Sequence, residues 1–262
     1  MPSRVLIYAH NDPRGVKRYV RYAVEKLAAR NDLVAFLTPS GGGAFDDGRA
    51  MFLDLAGKVR VVRMPARTTT EQKYFRAMKS VIEVASATSL TWADDSILYL
   101  ADPARLYDVL GGRSDWWTLS VSRLDQVQAE KQFVHFDRET PAAVRAYFAG
   151  ISPTGDKATD RRLVLPALTD HLQRKGLSLG ALIRPKGLTA SSVRATLYHW
   201  KDALESEFPL LDADLVSRRW RLAHFGMALG APYTPRAVYR LLKPGRLDPT
   251  LDVGAVLREA AL

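Results

Sequence analysis

The chain contains no cysteine, which excludes disulfide staples, thiolate metal sites and a thiol nucleophile. It has no apolar run approaching the roughly eighteen residues of a membrane-spanning helix. The opening segment, MPSRVLIYAHNDPRG, holds an apolar run of only about six residues, too short for the core of a secretory signal. That run reads instead as a first β-strand. Histidine is scarce, and the five present (His10, His135, His171, His199 and His224) form no HExxH or comparable metal-ligand spacing. No GxSxG elbow, P-loop or GxGxxG fingerprint follows a strand. Internal repeats and low-complexity linkers are also missing. A reducing, cytoplasmic setting fits this pattern.

What is present is an ordinary globular composition with a basic surplus. The 262 residues are 47% hydrophobic and 25% charged, which rules out wholesale disorder and rod-like architectures. Lys and Arg total 38 against 28 acidic residues, a formal charge of +10. Such a surface favours anionic partners: nucleic acid, acidic lipid headgroups or phosphate-bearing small molecules. Arginine supplies 27 of the basic residues, and its planar fork suits phosphate oxygens. Codon bias in a GC-rich genome accounts for the same count.

The first half alternates strand and helix. Apolar, β-branched runs at Arg4–Ala9, Leu33–Leu37, Val59–Met64 and Ser89–Trp92 read as strands buried on both faces. A helical stripe (Val16, Tyr19, Val20, Ala23, Val24, Leu27) follows the first. A short helix is expected near Phe52–Ala56 and a longer one over Glu71–Ala87. Asp102-Pro103 opens another as an acidic N-cap with proline at the first position, and Gly111-Gly112 closes it. Asp115–Ser122 and Lys131–Phe136 read as two further strands, antiparallel to the rest. After Thr140, helices are expected at Pro141–Phe148, Asp160–Lys175, Ser191–Glu207, Ala213–Leu229 and Pro235–Leu242, interrupted by one strand at Leu177–Arg184. The predicted fold class is α/β: a Rossmann-like, mostly parallel sheet flanked by helices, with a helical C-terminal third. A single unit is expected over residues 1–262, with a nucleotide-binding sheet region over 1–139 and a mainly helical acceptor-side region over 140–262.

Several residues stand where chemistry is possible. Asp94-Asp95 falls at the carboxyl end of a parallel strand, the edge at which open α/β sheets bind ligands. Adjacent carboxylates there suit Mg²⁺ or Mn²⁺ bridging to a substrate diphosphate; a solvated turn is the plainer alternative. His10-Asn11-Asp12 follows the first strand at the same edge, in a segment that is also good turn chemistry. Gly41-Gly42-Gly43 reads as a surface loop. Of Trp116-Trp117, one ring should face the core and the other is available to stack on a sugar or base. Arg14, Arg63 and Arg67 are the arginines nearest the expected cleft. The run Arg218-Arg219-Trp220-Arg221 reads as one face of an amphipathic helix, fit for an anionic surface or simply solvated.

Two of these segments together resemble a known family. VLIYAHNDPRGVKRYVRYAVEKLA resembles the opening of the rhamnan synthesis F family of bacterial polysaccharide glycosyltransferases, in which an AHxD segment, a turn and a Tyr-rich helix follow the first strand. Asp94-Asp95-Ser96 and the later SDWWTLSVS resemble that family's Asn-Asp-Ser motif and its DxWGLT strand. LTDHLQRKGLSLGALIRP and YHWKDALESEFPLLDADLVSRRW resemble its closing segments, so the likeness is patchy but collinear.

The resemblance implies a GT-A-like enzyme that moves a sugar from a nucleotide-diphosphate donor to a growing cell-surface glycan or lipid-linked glycan. It places His10 and Asp12 near the nucleotide and Asp95, with Asp94, on a Mg²⁺ or Mn²⁺ ion. Trp117 then stacks on the substrate, and Arg14, Arg63 and Arg67 pair with its phosphates. On this view Asp95→Ala abolishes transfer and leaves the fold intact. The family's Asn-x-Gly-Tyr-Asp-Phe segment is missing; Arg63–Phe75 stands there instead. Its acidic residue before the LT helix falls near Leu165, leaving Asp160 as the nearest candidate base. A cytoplasmic enzyme in peripheral contact with the inner membrane face is expected, with no nucleic-acid partner. Two rivals are a metal-dependent sugar deacetylase, since AHND is similar to the AHPDD motif of such hydrolases, and a non-enzymatic binder of nucleic acid or anionic surfaces.

Overall fold

A computed structural model describes residues 3–123, 127–183, 196, 200–216 and 235–261. The strands are Arg4–Ala9 (β1), Leu33–Pro39 (β2), Val59–Met64 (β3), Ser89–Asp94 (β4), Ile97–Tyr99 (β5), Trp116–Arg123 (β6), Val127–Ala129 (β7), Phe133–Phe136 (β8), Leu179–Ile183 (β9) and Leu210–Asp212 (β10). The α-helices are Arg18–Ala28 (α1), Ala44–Met51 (α2), Thr70–Ser80 (α3), Leu106–Leu110 (α4), Thr140–Ala149 (α5), Lys157–Val164 (α6), Pro166–Arg174 (α7), Trp200–Glu205 (α8), Pro235–Leu241 (α9) and Val253–Ala260 (α10).

The main sheet runs β3-β2-β1-β4-β8-β6, with β7 and β9 both paired to β6. Strands β3, β2, β1 and β4 are mutually parallel. Strand β8 is antiparallel to both β4 and β6, so β6 runs with the parallel set, and β9 pairs parallel to it. This is a Rossmann-like sheet, mostly parallel and flanked by helices. Of the two strands expected to run against the others, only β8 does so in the main path.

Alternation within each strand sorts residues to two cores. Leu6, Tyr8, Val34 and Phe36 pack with Val20, Ala23, Val24 and Leu27 of α1. Val5, Ile7, Ala35 and Leu37 pack on the other face with Tyr74, Phe75 and Ala77 of α3 and Val144 and Phe148 of α5. Both faces are covered, so β1 and β2 carry continuous apolar runs.

The helices depart from expectation where local chemistry intervenes. The stretch expected as one helix over Glu71–Ala87 ends at Ser80; Val81 is extended, and a 3-10 turn at Ile82–Ser86 follows. The one expected over Asp160–Lys175 divides at Pro166, which lacks an N–H and would clash with the preceding turn. Helix α2 has no clear signal in the sequence, because Ala44–Met51 contains a glycine and two aspartates and little apolar periodicity; Gly43, at φ +87°, opens it. The segment expected as a helix near Phe52–Ala56 is a 3-10 turn at Leu53–Leu55. Strand β10, unexpected, pairs antiparallel with β5. Within the range expected as a helix over Ser191–Glu207 the described part is helical at Trp200–Glu205, and the range expected over Ala213–Leu229 opens with a 3-10 turn at Ala213–Leu215; most of the rest of both lies outside the described residues, as do Arg218-Arg219-Trp220-Arg221, His199 and His224.

Candidate active site

Strands β1 and β4 end side by side, Ala9 opposite Asp94, and the chain leaving each of them meets the other. Asp95 turns toward the loop after β1. Its Oδ2 accepts from the Asn11 backbone N–H (2.7 Å) and its Oδ1 from Asn11 Nδ2 (2.8 Å). His10 Nδ1 lies 2.8 Å from Oδ2 in a close contact off the hydrogen-bond axis. His10 Nε2 contacts the Gly15 carbonyl at 3.0 Å. Burial pushes the Asp95 carboxyl up, but the close approach of the His10 ring and the two hydrogen bonds from Asn11 outweigh it and hold the group well below the usual carboxylate range.

Asp94 faces the other way. It is 1% exposed and lines a cleft of about 820 Å³. Its Oδ1 accepts from the Ser96 backbone N–H (3.0 Å) and from Ser96 Oγ. Burial pushes its carboxyl up to about 6, with Asp95 adding to the shift and Lys131 and Ser96 opposing it.

The N-terminus of α3 forms the next wall. A capping box between Thr69 and Gln72 fixes the start of the helix and presents Thr69, Thr70 and Glu71 to the cleft. One turn in, the fully buried Lys73 donates to the His10 carbonyl and to Asn11 Oδ1 (2.8 Å). Thr70 Oγ1 also donates to Asn11 Oδ1 (3.3 Å). The Asn11 amide is thereby held with its NH₂ toward Asp95. Burial lowers the Lys73 ammonium to about 8, against the pull of Asp95 and Asp94.

The remaining lining comes from three distant segments: Glu130, Lys131 and Gln132 before β8, Lys157 and Arg161 on α6, and Asp214 after β10. Glu71 ties two of them together, 3.1 Å from Lys131 and 3.8 Å from Arg161.

Most residues expected in the site stand elsewhere. Asp160 is 1% exposed and turned into the junction of α3 and α6. Its Oδ1 accepts from the Thr154 backbone N–H (2.8 Å) and hydroxyl (3.0 Å), and its Oδ2 from Gln72 Nε2 (3.0 Å). Both oxygens are engaged and neither faces the cleft, so Asp160 is a structural anchor rather than a base. Asp160→Asn is expected to cost about 1–2 kcal/mol of stability in urea unfolding and to leave ligand affinity within about twofold.

Trp117 is buried, stacked on Phe133 at 5.3 Å and beside His135 at 4.9 Å; it offers no face to a substrate. Arg14 is 68% exposed and paired with Asp12 at 2.8 Å, leaving both outside the cleft lining. Arg63 lies over the Phe45 ring at 4.2 Å, and Arg67 is exposed beyond β3. His10 supports Asp95 from behind. The cations that do line the cleft are Lys131, Lys157 and Arg161. They come from segments that only the fold brings together, and no spacing in the sequence announces them.

A divalent cation fits this edge in one mode only. Among the described residues no three His, Asp or Glu side chains converge as a metal cage, which also leaves the deacetylase motif without its ligand set there. Mg²⁺ and Mn²⁺ commonly take one or two carboxylates and complete their shell with water and phosphate oxygens. Asp94 suits that mode; Asp95, with both oxygens engaged, does not.

No family model matches the chain, and no curated protein matches it. Solved structures with a similar layout include 4-diphosphocytidyl-2C-methyl-D-erythritol synthase from Anaerococcus prevotii, at 11% identity and TM-score 0.44, covering 71% of this chain and 90% of that one. A nucleoside-diphosphate-sugar pyrophosphorylase from Vibrio cholerae gives 14% and 0.45, covering 68% and 91%. The inositol-1-phosphate CTP transferase of T. maritima gives 13% and 0.45, covering 67% and 83%. Similarity of this size leaves the chemistry to be argued from the residues of this chain.

Proposed function

We propose that the protein is a nucleotide-sugar-dependent glycosyltransferase that extends a bacterial cell-surface glycan from the cytoplasmic side. One observation carries the reading: a buried carboxylate at the carboxyl edge of a parallel sheet, Asp94, opens onto a cleft whose other wall holds Lys131, Lys157 and Arg161. A diphosphate needs that pairing of a cation-binding carboxylate with flanking positive charge. When bound, Mg²⁺ or Mn²⁺ held by Asp94 would neutralise charge on the departing diphosphate.

The chain's own residues do the rest. Lys131 and Arg161 bind phosphate oxygens, with Glu71 holding both in place. Asp95, Asn11 and Lys73 keep the first loop rigid behind the donor. Asp214, the half-exposed carboxylate on the cleft, is the group placed to take the acceptor hydroxyl's proton. Among the described residues no helix is long and apolar enough to cross a membrane, so contact with a lipid-linked acceptor is peripheral in this proposal.

The test is a thermal-shift screen against UDP-, GDP-, TDP- and CMP-sugars with and without Mg²⁺ or Mn²⁺. At a hundred times its dissociation constant a ligand should stabilise by roughly 2.7 kcal/mol. A metal-dependent shift confined to one nucleotide is the expected result. A flat screen, with salt-sensitive stabilisation by DNA or RNA, would replace the transferase by the nucleic-acid binder.

A further inference from the structure

The cleft lining includes a buried polar atom that has no hydrogen-bond partner among the described residues. Gln132 lines the cleft and is 2% exposed, and its Oε1 has no hydrogen-bond partner. Its backbone carbonyl and its side-chain NH₂ are both engaged. Its backbone carbonyl accepts from the Asp94 N–H at 3.1 Å, which sets it directly beside the carboxylate of the site. Its Nε2 donates to Thr196 Oγ1 at 3.1 Å.

The amide cannot simply be turned over. Thr196 Oγ1 gives its single proton to Asp212 Oδ2 at 3.3 Å, so toward Gln132 it can only accept. Asp212, itself fully buried, also accepts from the Asp214 N–H at 3.0 Å and is held by β10. A relay running Asp212–Thr196–Gln132 therefore orients the amide, with Nε2 toward Thr196 and Oε1 reserved as an acceptor. A buried acceptor left empty costs free energy unless a ligand supplies the donor.

The surroundings divide the cleft by chemistry. Asp94, Glu130, Gln132 Oε1 and Asp214 bring oxygen acceptors to it, whereas Lys131, Lys157 and Arg161 bring cations. A phosphate has no proton to offer an amide oxygen and belongs with the cations. A pyranose carries several hydroxyl donors and belongs with the acceptors. We infer that Gln132 is a specificity-determining residue, whose Oε1 accepts from a hydroxyl, or the N–H of an acylamino group, on the sugar of the donor. The inference rests on the nucleotide-sugar reading above and adds which part of the ligand meets which wall.

The experiment compares two probes by isothermal titration: the nucleotide-sugar giving the largest wild-type shift, and the matching free nucleoside diphosphate. Gln132→Met, similar in size but without an acceptor, should bind the nucleotide-sugar about 10- to 100-fold more weakly and the free diphosphate within about twofold of wild type. Thr196→Val, which releases the amide without touching the cleft, should lose part of the same sugar preference. Unchanged sugar affinity in both variants would overturn the inference, as would parallel losses for both probes. If Gln132→Met does not fold, the Thr196→Val comparison decides alone. A wild-type protein that binds no nucleotide-sugar overturns the proposed function instead, and this inference with it.

Discussion

Asp94→Asn is expected to abolish transfer, by at least about a hundredfold, while making the protein more stable at neutral pH. The two effects share a cause. Burial raises the Asp94 carboxyl from its ordinary 3.8 to about 6, so between these values the folded state keeps a proton that the unfolded chain has released. Stability therefore falls as pH rises through that window and stays lower above it. A shift of this size corresponds to a cost on the order of 2–3 kcal/mol at pH 7. Asparagine keeps an oxygen for the two Ser96 donors and carries no charge to desolvate. Urea unfolding of both proteins should coincide near pH 4 and separate by that amount at pH 7.5. Equal stabilities at both pH values would show that the carboxylate carries no such burden. Loss of function with a gain of stability is the usual mark of a group kept for chemistry, and a bound divalent cation should erase the wild-type deficit.

Asp95→Ala should do the opposite, unfolding the edge of the sheet rather than merely silencing it. The substitution strips the acceptors from the part-buried Asn11 N–H and Nδ2 and removes the carboxylate that lies against the buried His10 ring. Leaving such partners without their acceptor costs about 1–3 kcal/mol. This reverses the expectation from the sequence that the variant stays intact, because the carboxylate ties the turn after β4 to the loop after β1. Its pH signature is also opposite in sign. The folded-state value lies below 3.8, so the stabilisation is present above about pH 4 and is lost as pH falls further. Chemical denaturation at pH 7 and pH 3 separates the cases: the variant should trail the wild type at pH 7 and narrow the gap at pH 3. A variant as stable as wild type at pH 7 would remove that tie.

The two aspartates also show what can be read from a sequence. Their place at the carboxyl edge follows from apolar strand runs and the topology of parallel sheets, and β1 and β3 fall where the runs put them. Their opposite tasks do not follow, because Asp94 ends β4 while Asp95 stands in the turn beyond it, and only the fold says which way each side chain faces. Trp117 misled for a related reason. With helices on both faces, Trp116 enters one core and Trp117 the other, and no face is left for a ligand. Arg14, Arg63 and Arg67 sit near the edge in sequence but find partners or solvent. Lys131, Gln132 and Asp214 reach the cleft through pairings between distant segments, for which local periodicity holds no signal.

The β5–β10 ribbon bears on when the site comes into being. β5 follows the Asp94-Asp95-Ser96 turn directly, yet its partner strand is made far later, with Asp212 paired to Ile97 and the Ala213 N–H bonded to the Ser96 carbonyl at 2.7 Å. The parallel strands can collapse while that partner is still being synthesised, but closing so long a loop carries an entropic cost that slows the last pairing. A nascent chain would thus own a finished sheet and an unfinished pocket, so that ligand-binding competence should mature as a separate, slower phase than the appearance of secondary structure.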